Sequence, residues 1–363
     1  MPAAGQKPSK VAGLNTAMIE DRSDEDLALM AKYWRGLADF KDRVEIANGR
    51  ASIVWAAKCI RTSFLAAIKA YFKNKLSAAN RLQVEREINI LDEKARAFKY
   101  LCPVLASFED TANMYLVQEY CQKGDVLQML EDAGGRLKEE EAAKLVLFPL
   151  LSALKHIHAL GIVHRDIKPE NLFVDADGLV KLGDFGLAIN KHTERLVHRI
   201  GTLDYMAPEI LMLPVSAQGE EPVGQKEYDE QVDAWACGIL TYELLVGKPP
   251  FEVEDEAVTC AMIIWSELPT DRSGWPAHLT DDAIHFISKA LVKSPEQRMT
   301  VGEMLEHPWI RSHTAHLDAR HQPVSATSPV TAKHLSKNHA VSFDKHKTGN
   351  ATEMTQSMTR LAV

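Results

Sequence analysis

The stretch His164-Arg165-Asp166-Ile167-Lys168-Pro169-Glu170-Asn171 decides the reading of this chain. Asp184-Phe185-Gly186 follows it, and then Ala207-Pro208-Glu209. Any one of these triplets occurs by chance; in this order they carry weight together. Outward from them the chain falls into two kinds of pattern. Residues 43–75 hold short β-rich runs (RVEIANG, ASIVWAAK, SFLAAIKAY), and MYLVQEY at 114–120 reads as a further strand. Residues 77–94 return to a helical pattern. After residue 125 the chain is mostly helical, as in LKEEEAAKLVLFPLLSALKHIHALG, with NLFVD and LVKLGDF as strand-like interruptions. The pattern predicts an α+β protein. A small β-rich lobe with one key helix (about 43–118) joins a larger, mainly helical lobe (about 125–312) near residues 119–125.

Composition narrows the function. The 363 residues are 46% hydrophobic and 25% charged, enough to bury a core without staples. At this length two or three lobes or domains are expected. Fifty acids against 42 bases leave a net charge of -8, which argues against a coat for nucleic acid or an anionic membrane. The five cysteines are scattered, odd in number and without a CxxC pair. They predict neither a disulfide framework nor a zinc ribbon, and a reducing compartment. The most apolar run, residues 145–163, is broken by Lys155, His156 and His158 and is no membrane span. MPAAGQKPSK lacks the apolar core of a secretory signal.

The ends read differently from the middle. Residues 1–42 are expected to be a tail followed by a helix over 23–40, with Ser23 as N-cap and Leu27, Met30, Trp34 and Leu37 near helical spacing. Residues 313–363 are rich in Ser, Thr, His and Lys, with six basic against three acidic residues. They are expected to form a disordered basic tail. Its Ser328-Pro329 could accept a proline-directed phosphate.

The three quoted motifs resemble the HRDxKPEN, DFG and APE signatures of the eukaryotic protein kinases, and the resemblance covers roughly residues 43–312. It implies the two-lobed protein-kinase fold, with ATP and Mg²⁺ between the lobes. By that resemblance Asp166 would orient or accept the proton of the attacking hydroxyl, and Asn171 and Asp184 would hold Mg²⁺. Lys168 would neutralise the γ-phosphate, and its place two residues after Asp166 is similar to serine/threonine kinases. Ala66-Ala67-Ile68-Lys69 resembles the VAIK strand, so Lys69 would meet the α- and β-phosphates. Glu87 best fits the ion-pair partner of Lys69, because Ile88 and Leu91 then face inward; Glu85 is its competitor. Val54, Ala67 and Phe173 would sandwich adenine, with Gln118 as gatekeeper and the backbone of Glu119 and Cys121 on the adenine edge. Glu209 should pair with Arg298, and Asp233 in DAWACG should anchor the catalytic loop.

Two departures matter. The nucleotide loop reads Ala47-Asn48-Gly49-Arg50-Ala51-Ser52-Ile53-Val54, so only the middle glycine of GxGxxGxV is present. Ala47 and Ser52 are small replacements in a loop whose backbone must approach phosphates closely. Within the kinases, GTLDYMAPEI, YELLVGKPPFE and EHPWI resemble the Aurora group. There a phosphothreonine stands three residues before the glycine of GTLDY, a place held here by His198. Thr193 is the nearest upstream candidate and Thr202 resembles a structural threonine of the substrate loop. Regulation without the usual phosphothreonine is therefore expected.

Asp125, Glu170 and Glu243 match positions that take arginines of basic substrates; Asp125 could instead serve the ribose and Glu243 buried structure. Residues 211–231 are about a dozen longer than in Aurora-like sequences and read as a surface loop. The resemblance implies a serine/threonine kinase acting on protein substrates, with room for a regulatory protein partner and no nucleic-acid or membrane partner. Its expected location is cytoplasmic or nuclear, near microtubule structures by family analogy. A pseudokinase scaffold is the alternative, motivated by Ala47, Ser52 and His198.

Overall fold

The structure is a computed structural model that describes residues 34–318, apart from 92, 97 and 215–226. The small lobe is built on a five-stranded antiparallel sheet: β1 (Phe40–Asn48), β2 (Ser52–Cys59), β3 (Leu65–Phe72), β4 (Ala106–Glu109) and β5 (Asn113–Glu119). The strand order is β1-β2-β3-β5-β4. Alternation along β3 assigns its two faces. Ala66, Ile68 and Ala70 are fully buried, in a core with Trp34, Phe40, Ala57 and Cys59. Ala67, Lys69 and Tyr71 point the other way, toward the cleft.

Register then collects the cleft face. Val54 pairs with Ala47 on β1 and Lys69 on β3, and Lys69 pairs with Leu116 on β5. Ala67 lies between Ala56 and Gln118. Residues directly opposite one another in an antiparallel sheet share a face. Ala47, Val54, Ala67, Lys69 and Gln118 are therefore lined up by hydrogen-bond register alone. Helix α1 (Ala78–Asn89) crosses this lobe, capped by Ser77, whose hydroxyl accepts from Asn80 N at 3.1 Å.

The large lobe is helical. Its helices include α2 (Val126–Asp132), α3 (Phe148–Ala159), α4 (Gln231–Val246), α5 (Glu256–Trp265), α6 (Asp281–Ala290), α7 (Val301–Glu306) and α8 (Pro308–Asp318). α4 is the central one, with Ala234, Trp235, Cys237, Ile239 and Leu240 fully buried. Short strands β6 (Ile162–Val163), β7 (Leu172–Val174), β8 (Val180–Leu182) and β9 (Ile189–Asn190) pair β6 with β9 and β7 with β8. They carry the catalytic segments at the lobe junction.

The ends need correction. The helix expected over 23–40 does not extend through its last residues: Leu37–Asp39 is one 3₁₀ turn and Phe40 already begins β1. The apolar residues there serve a sheet instead. The Trp34 ring packs 5.3 Å from Phe40 and 5.6 Å from Phe64, and its Nε1 donates to Cys59 Sγ at 3.4 Å. Residues 23–33 lie outside the described residues. At the other end, α8 runs to Asp318, into the stretch expected to be disordered, and Thr314 is buried. The rest of the tail, with Ser328, lies outside the described residues. All five cysteines are free thiols. No helix among the described residues is long and apolar enough to cross a membrane.

Candidate active site

The catalytic loop is suspended from α4. Asp233 is fully buried, and its Oδ1 accepts from Arg165 N at 2.8 Å. Its Oδ2 accepts from His164 N at 2.9 Å and bonds His158 Nε2 at 2.8 Å. Burial opposes its charge, but these partners hold its carboxyl below the usual carboxylate range. Arg165 and Asp184 both take the left-handed backbone region, at φ 68° and 55°. A non-glycine residue there is strained and is held only by surrounding structure. Gly183 has a packing reason: a Cβ would lie 2.6 Å from the Phe173 ring.

The side chains converge on two centres. At the first, Asp166 Oδ1 accepts from Thr202 Oγ1 at 2.8 Å and Oδ2 accepts from Asn171 Nδ2 at 2.8 Å. Lys168 Nζ lies 3.3 Å from Asp166 Oδ2 and donates to Thr202 Oγ1 at 2.9 Å. The Asn171 amide also donates to Asp166 O at 2.8 Å. Both its N–H groups are thus used, which leaves the amide oxygen for a cation. At the second centre Lys69 Nζ stands 3.7 Å from both Glu87 Oε2 and Asp184 Oδ2. Burial works against the Lys69 charge, but the two carboxylates raise it well above the usual lysine range. Asp184 is held low by Lys69. Glu87 is pushed up by burial, since one lysine serves two carboxylates and its Oε1 has no hydrogen-bond partner.

The competition between Glu87 and Glu85 is settled by direction. Glu87 is buried against Lys69, whereas Glu85 pairs with Arg81 at the surface, 3.6 Å away. Phe185 is buried, edge-on to His164 at 5.0 Å, and the Phe185–Leu187 turn packs on α1. An inward Phe185 and a formed Lys69–Glu87 pair are the arrangement that the resemblance leads one to expect.

In the nucleotide loop, Gly49-Arg50-Ala51 joins β1 to β2, and Gly49 N donates to Ser52 O at 2.8 Å. Ala47 pairs with Val54 just past a register irregularity that follows Glu45, and Ser52 pairs with Tyr71 on β3, so the hairpin forms without the other two glycines. At the hinge the Gln118 side chain donates to Cys102 O at 3.3 Å. Glu119 O accepts from Cys102 Sγ at 3.9 Å and Cys121 O accepts from Gly124 N at 3.3 Å. Each carbonyl keeps a second lone pair for a further donor. The Glu119 carboxylate is bound to Lys181 Nζ at 2.6 Å. Phe173 pairs with Asp125 in an isolated bridge, which brings the residue expected against adenine beside the one expected at the ribose.

Three acids gather at one end of the cleft. Asp125 caps α2, accepting from Gln128 N at 2.8 Å, and is raised by burial and by Glu170. Glu243 is raised to about 7, first by burial and then by Glu170 among neighbouring acids, although the hydroxyl of Tyr205 donates to it. The exposed Glu170 is thus close enough to act on both.

The expected fork also forms. Arg298 binds Glu209 through two parallel bonds of 2.7 and 2.8 Å. Sequence reasoning missed Tyr71, whose hydroxyl donates to Glu87 Oε2 at 3.2 Å. Its place two residues after Lys69 on one strand face was the available signal. It also missed Tyr228 and the Arg86–Glu194 pair, which no local spacing announces.

A family model described as the protein kinase domain matches residues 40–310. The chain belongs to the protein kinase family. This kinase is 35% identical over 267 residues to the Aurora kinase of Schizosaccharomyces pombe, covering 73% of this chain and 69% of that one. It is 32% identical to the Aurora kinase of Encephalitozoon cuniculi, covering 78% and 98% of the two chains. The CDPK-related kinase 8 of Arabidopsis thaliana is 30% identical over 86% of this chain and 52% of its own. Kinases of this family use ATP and Mg²⁺. The residues fit such a group: Asp184 and the Asn171 oxygen are hard ligands facing one cleft. No cluster of three or more His, Cys, Asp or Glu side chains among the described residues makes a complete cage. A cation shared with phosphates needs none. Nothing among the described residues favours a silent scaffold.

Proposed function

We propose that this kinase transfers the γ-phosphoryl group of ATP to Ser or Thr hydroxyls of proteins with basic residues upstream of the acceptor. The reading rests above all on the network that closes around Asp166. Lys168, Thr202 and Asn171 fix both of its oxygens, so the carboxylate is aimed before a hydroxyl arrives. Asp166 takes or orients the hydroxyl proton. Lys168 sits beside it to balance charge on the transferred group. Lys69, held by Glu87, receives the α- and β-phosphates. Asn171 and Asp184 would hold Mg²⁺, which when bound would neutralise phosphate charge. Ala47, Gly49, Val54, Ala67, Phe173 and the backbone of Glu119 and Cys121 form the nucleotide's bed.

The basic-substrate reading rests on Glu170 and Glu243, with Asp125 beside them. Carboxylates present a bidentate match to arginine forks. Its pH dependence follows from the raised Glu243. Below about pH 7 that carboxyl is protonated and cannot attract a guanidinium; above it the carboxylate is charged. For a peptide with upstream arginines, kcat/KM should therefore rise up to about tenfold from pH 6 to 8. A peptide with glutamines in their place should stay flat. Equal slopes for both peptides would remove Glu243 from substrate recognition.

The direct test is purified protein with Mg-ATP and an arginine-bearing serine peptide, with Asp184→Ala as the blank. Phosphopeptide above the blank is expected; none would return the scaffold alternative. A cytoplasmic or nuclear location near microtubule structures, and a regulatory partner, are part of the same proposal by likeness to Aurora kinases.

A further inference from the structure

The segment between the DFG and APE motifs is gripped from two sides. On the small-lobe side, Arg86 Nη2 lies 2.5 Å from Glu194 Oε2. The Arg86 side chain is mostly buried, at 16% exposure, although it reaches across 108 positions of sequence to its partner. On the large-lobe side, the end of the expanded loop makes four attachments. Glu230 takes two bonds from Lys191 Nζ, at 2.8 and 2.9 Å. Glu227 accepts from Arg195 Nε at 2.7 Å. Tyr228 N donates to Leu196 O at 3.1 Å. The buried Tyr228 hydroxyl accepts from Arg165 Nη1 at 3.0 Å and donates to His198 O at 3.0 Å.

We infer that Glu194 and Tyr228 are positioning residues that set α1 and the activation segment in register with each other. The inference rests on the catalytic roles proposed above. Arg86 immediately precedes Glu87, so the two side chains leave α1 about 100° apart. Holding Arg86 at Glu194 fixes the rotation of α1 that aims Glu87 at Lys69. Tyr228 supplies Arg165 with an acceptor from within the chain and ties it to the backbone at His198, where a phosphorylatable residue is absent. Arg165 also donates from Nε to Leu187 O at 2.8 Å, directly after the DFG turn. A single connected path thus runs from the expanded loop through Arg165 to the metal-binding turn, and a second runs from the activation segment through Arg86 to Glu87. The grip uses one ion pair on the small-lobe side, and two ion pairs with a neutral hydroxyl on the large-lobe side.

The test is a charge swap in the full chain: Arg86→Glu, Glu194→Arg and the two combined, with Tyr228→Phe alongside. None of these residues touches substrate in the proposed chemistry. Losing the grip lowers the fraction of protein in the competent arrangement, which reads as kcat. Each single reversal is expected to lower kcat about tenfold with peptide KM within about twofold. Each should also speed amide exchange over residues 78–89. The double reversal should restore kcat to within about threefold of the original and return the exchange rates. Tyr228→Phe removes one hydroxyl and should lower kcat about fivefold with the same KM. Single reversals with full kcat and unchanged exchange, or a double as impaired as its parents, would overturn the grip. A purely structural role would lower the melting temperature of the single reversals while leaving the kcat of the folded protein unchanged. The exchange measurement needs no phosphotransfer. If the original protein were inactive, the proposed function would fail, and the grip would still be decided by exchange.

Discussion

Asp166→Asn lowers kcat about a thousandfold while ATP affinity stays within about threefold of the original. Both carboxylate oxygens accept hydrogen bonds, one from Thr202 Oγ1 and one from Asn171 Nδ2, with Lys168 3.3 Å away. An amide can offer one oxygen to these donors, and its NH₂ then faces a donor. It also removes the negative charge that balances Lys168. In the proposed chemistry ATP contacts run through the other centre, Lys69 with Glu87 and Asp184, whose ion pairs this substitution leaves intact. Single-turnover phosphotransfer beside nucleotide binding by fluorescence separates the two effects. Equal losses in both would mean that Asp166 holds the cleft together rather than serving the acceptor.

Arg298→Ala has the largest expected effect on stability, about 3–5 kcal/mol. The Arg298 side chain has no solvent exposure. It makes the two-pronged bond to Glu209, donates to the carbonyls of Gln231, Val292 and Lys293, and lies 5.1 Å over the Trp235 ring. Truncation strands a mostly buried carboxylate and three carbonyls at once. For a domain of this size the melting temperature should fall by about 10 °C. Arg298→Lys keeps the charge but not the fork, and should recover less than half of the loss. Calorimetric melts at matched pH measure this; a fall under about 2 °C for the alanine variant would show that solvent reaches Glu209 and replaces the ion pair.

Much of the architecture was legible before any coordinates. The run SFLAAIKAY reads as a β-rich segment, and the structure forms β3 there with Ala66 and Ile68 buried. The stretch near Trp34 misled for a physical reason. Apolar residues at helical spacing satisfy a sheet edge equally well when an aromatic ring can cover it, and Trp34 does so with Phe40 and Phe64. At the other end, residues after His313 were assigned to a tail by composition. Helix α8 carries on because Thr314 is buried and donates to Ile310 O at 2.9 Å. The two glycines missing from the nucleotide loop were singled out as a departure, yet β1 and β2 still pair through Ala47–Val54 and Asn48–Ile53.

What the sequence by itself determined is the set of groups proposed for the chemical centre. Asp166, Lys168 and Asn171 lie within six residues, and Asp184 stands beside Phe185 and Gly186. Short runs carry their own geometry, because a few bonded residues can reach one point in few ways. Tertiary structure alone decided which carboxylate faces Lys69, that Tyr71 shares it, that Thr202 closes on Asp166, and that Glu194 and Tyr228 grip the segment between the lobes. Each of these joins segments far apart in sequence. The partner of such a charge or hydroxyl is chosen by how sheet, α1 and α4 pack, and packing depends on the whole chain at once.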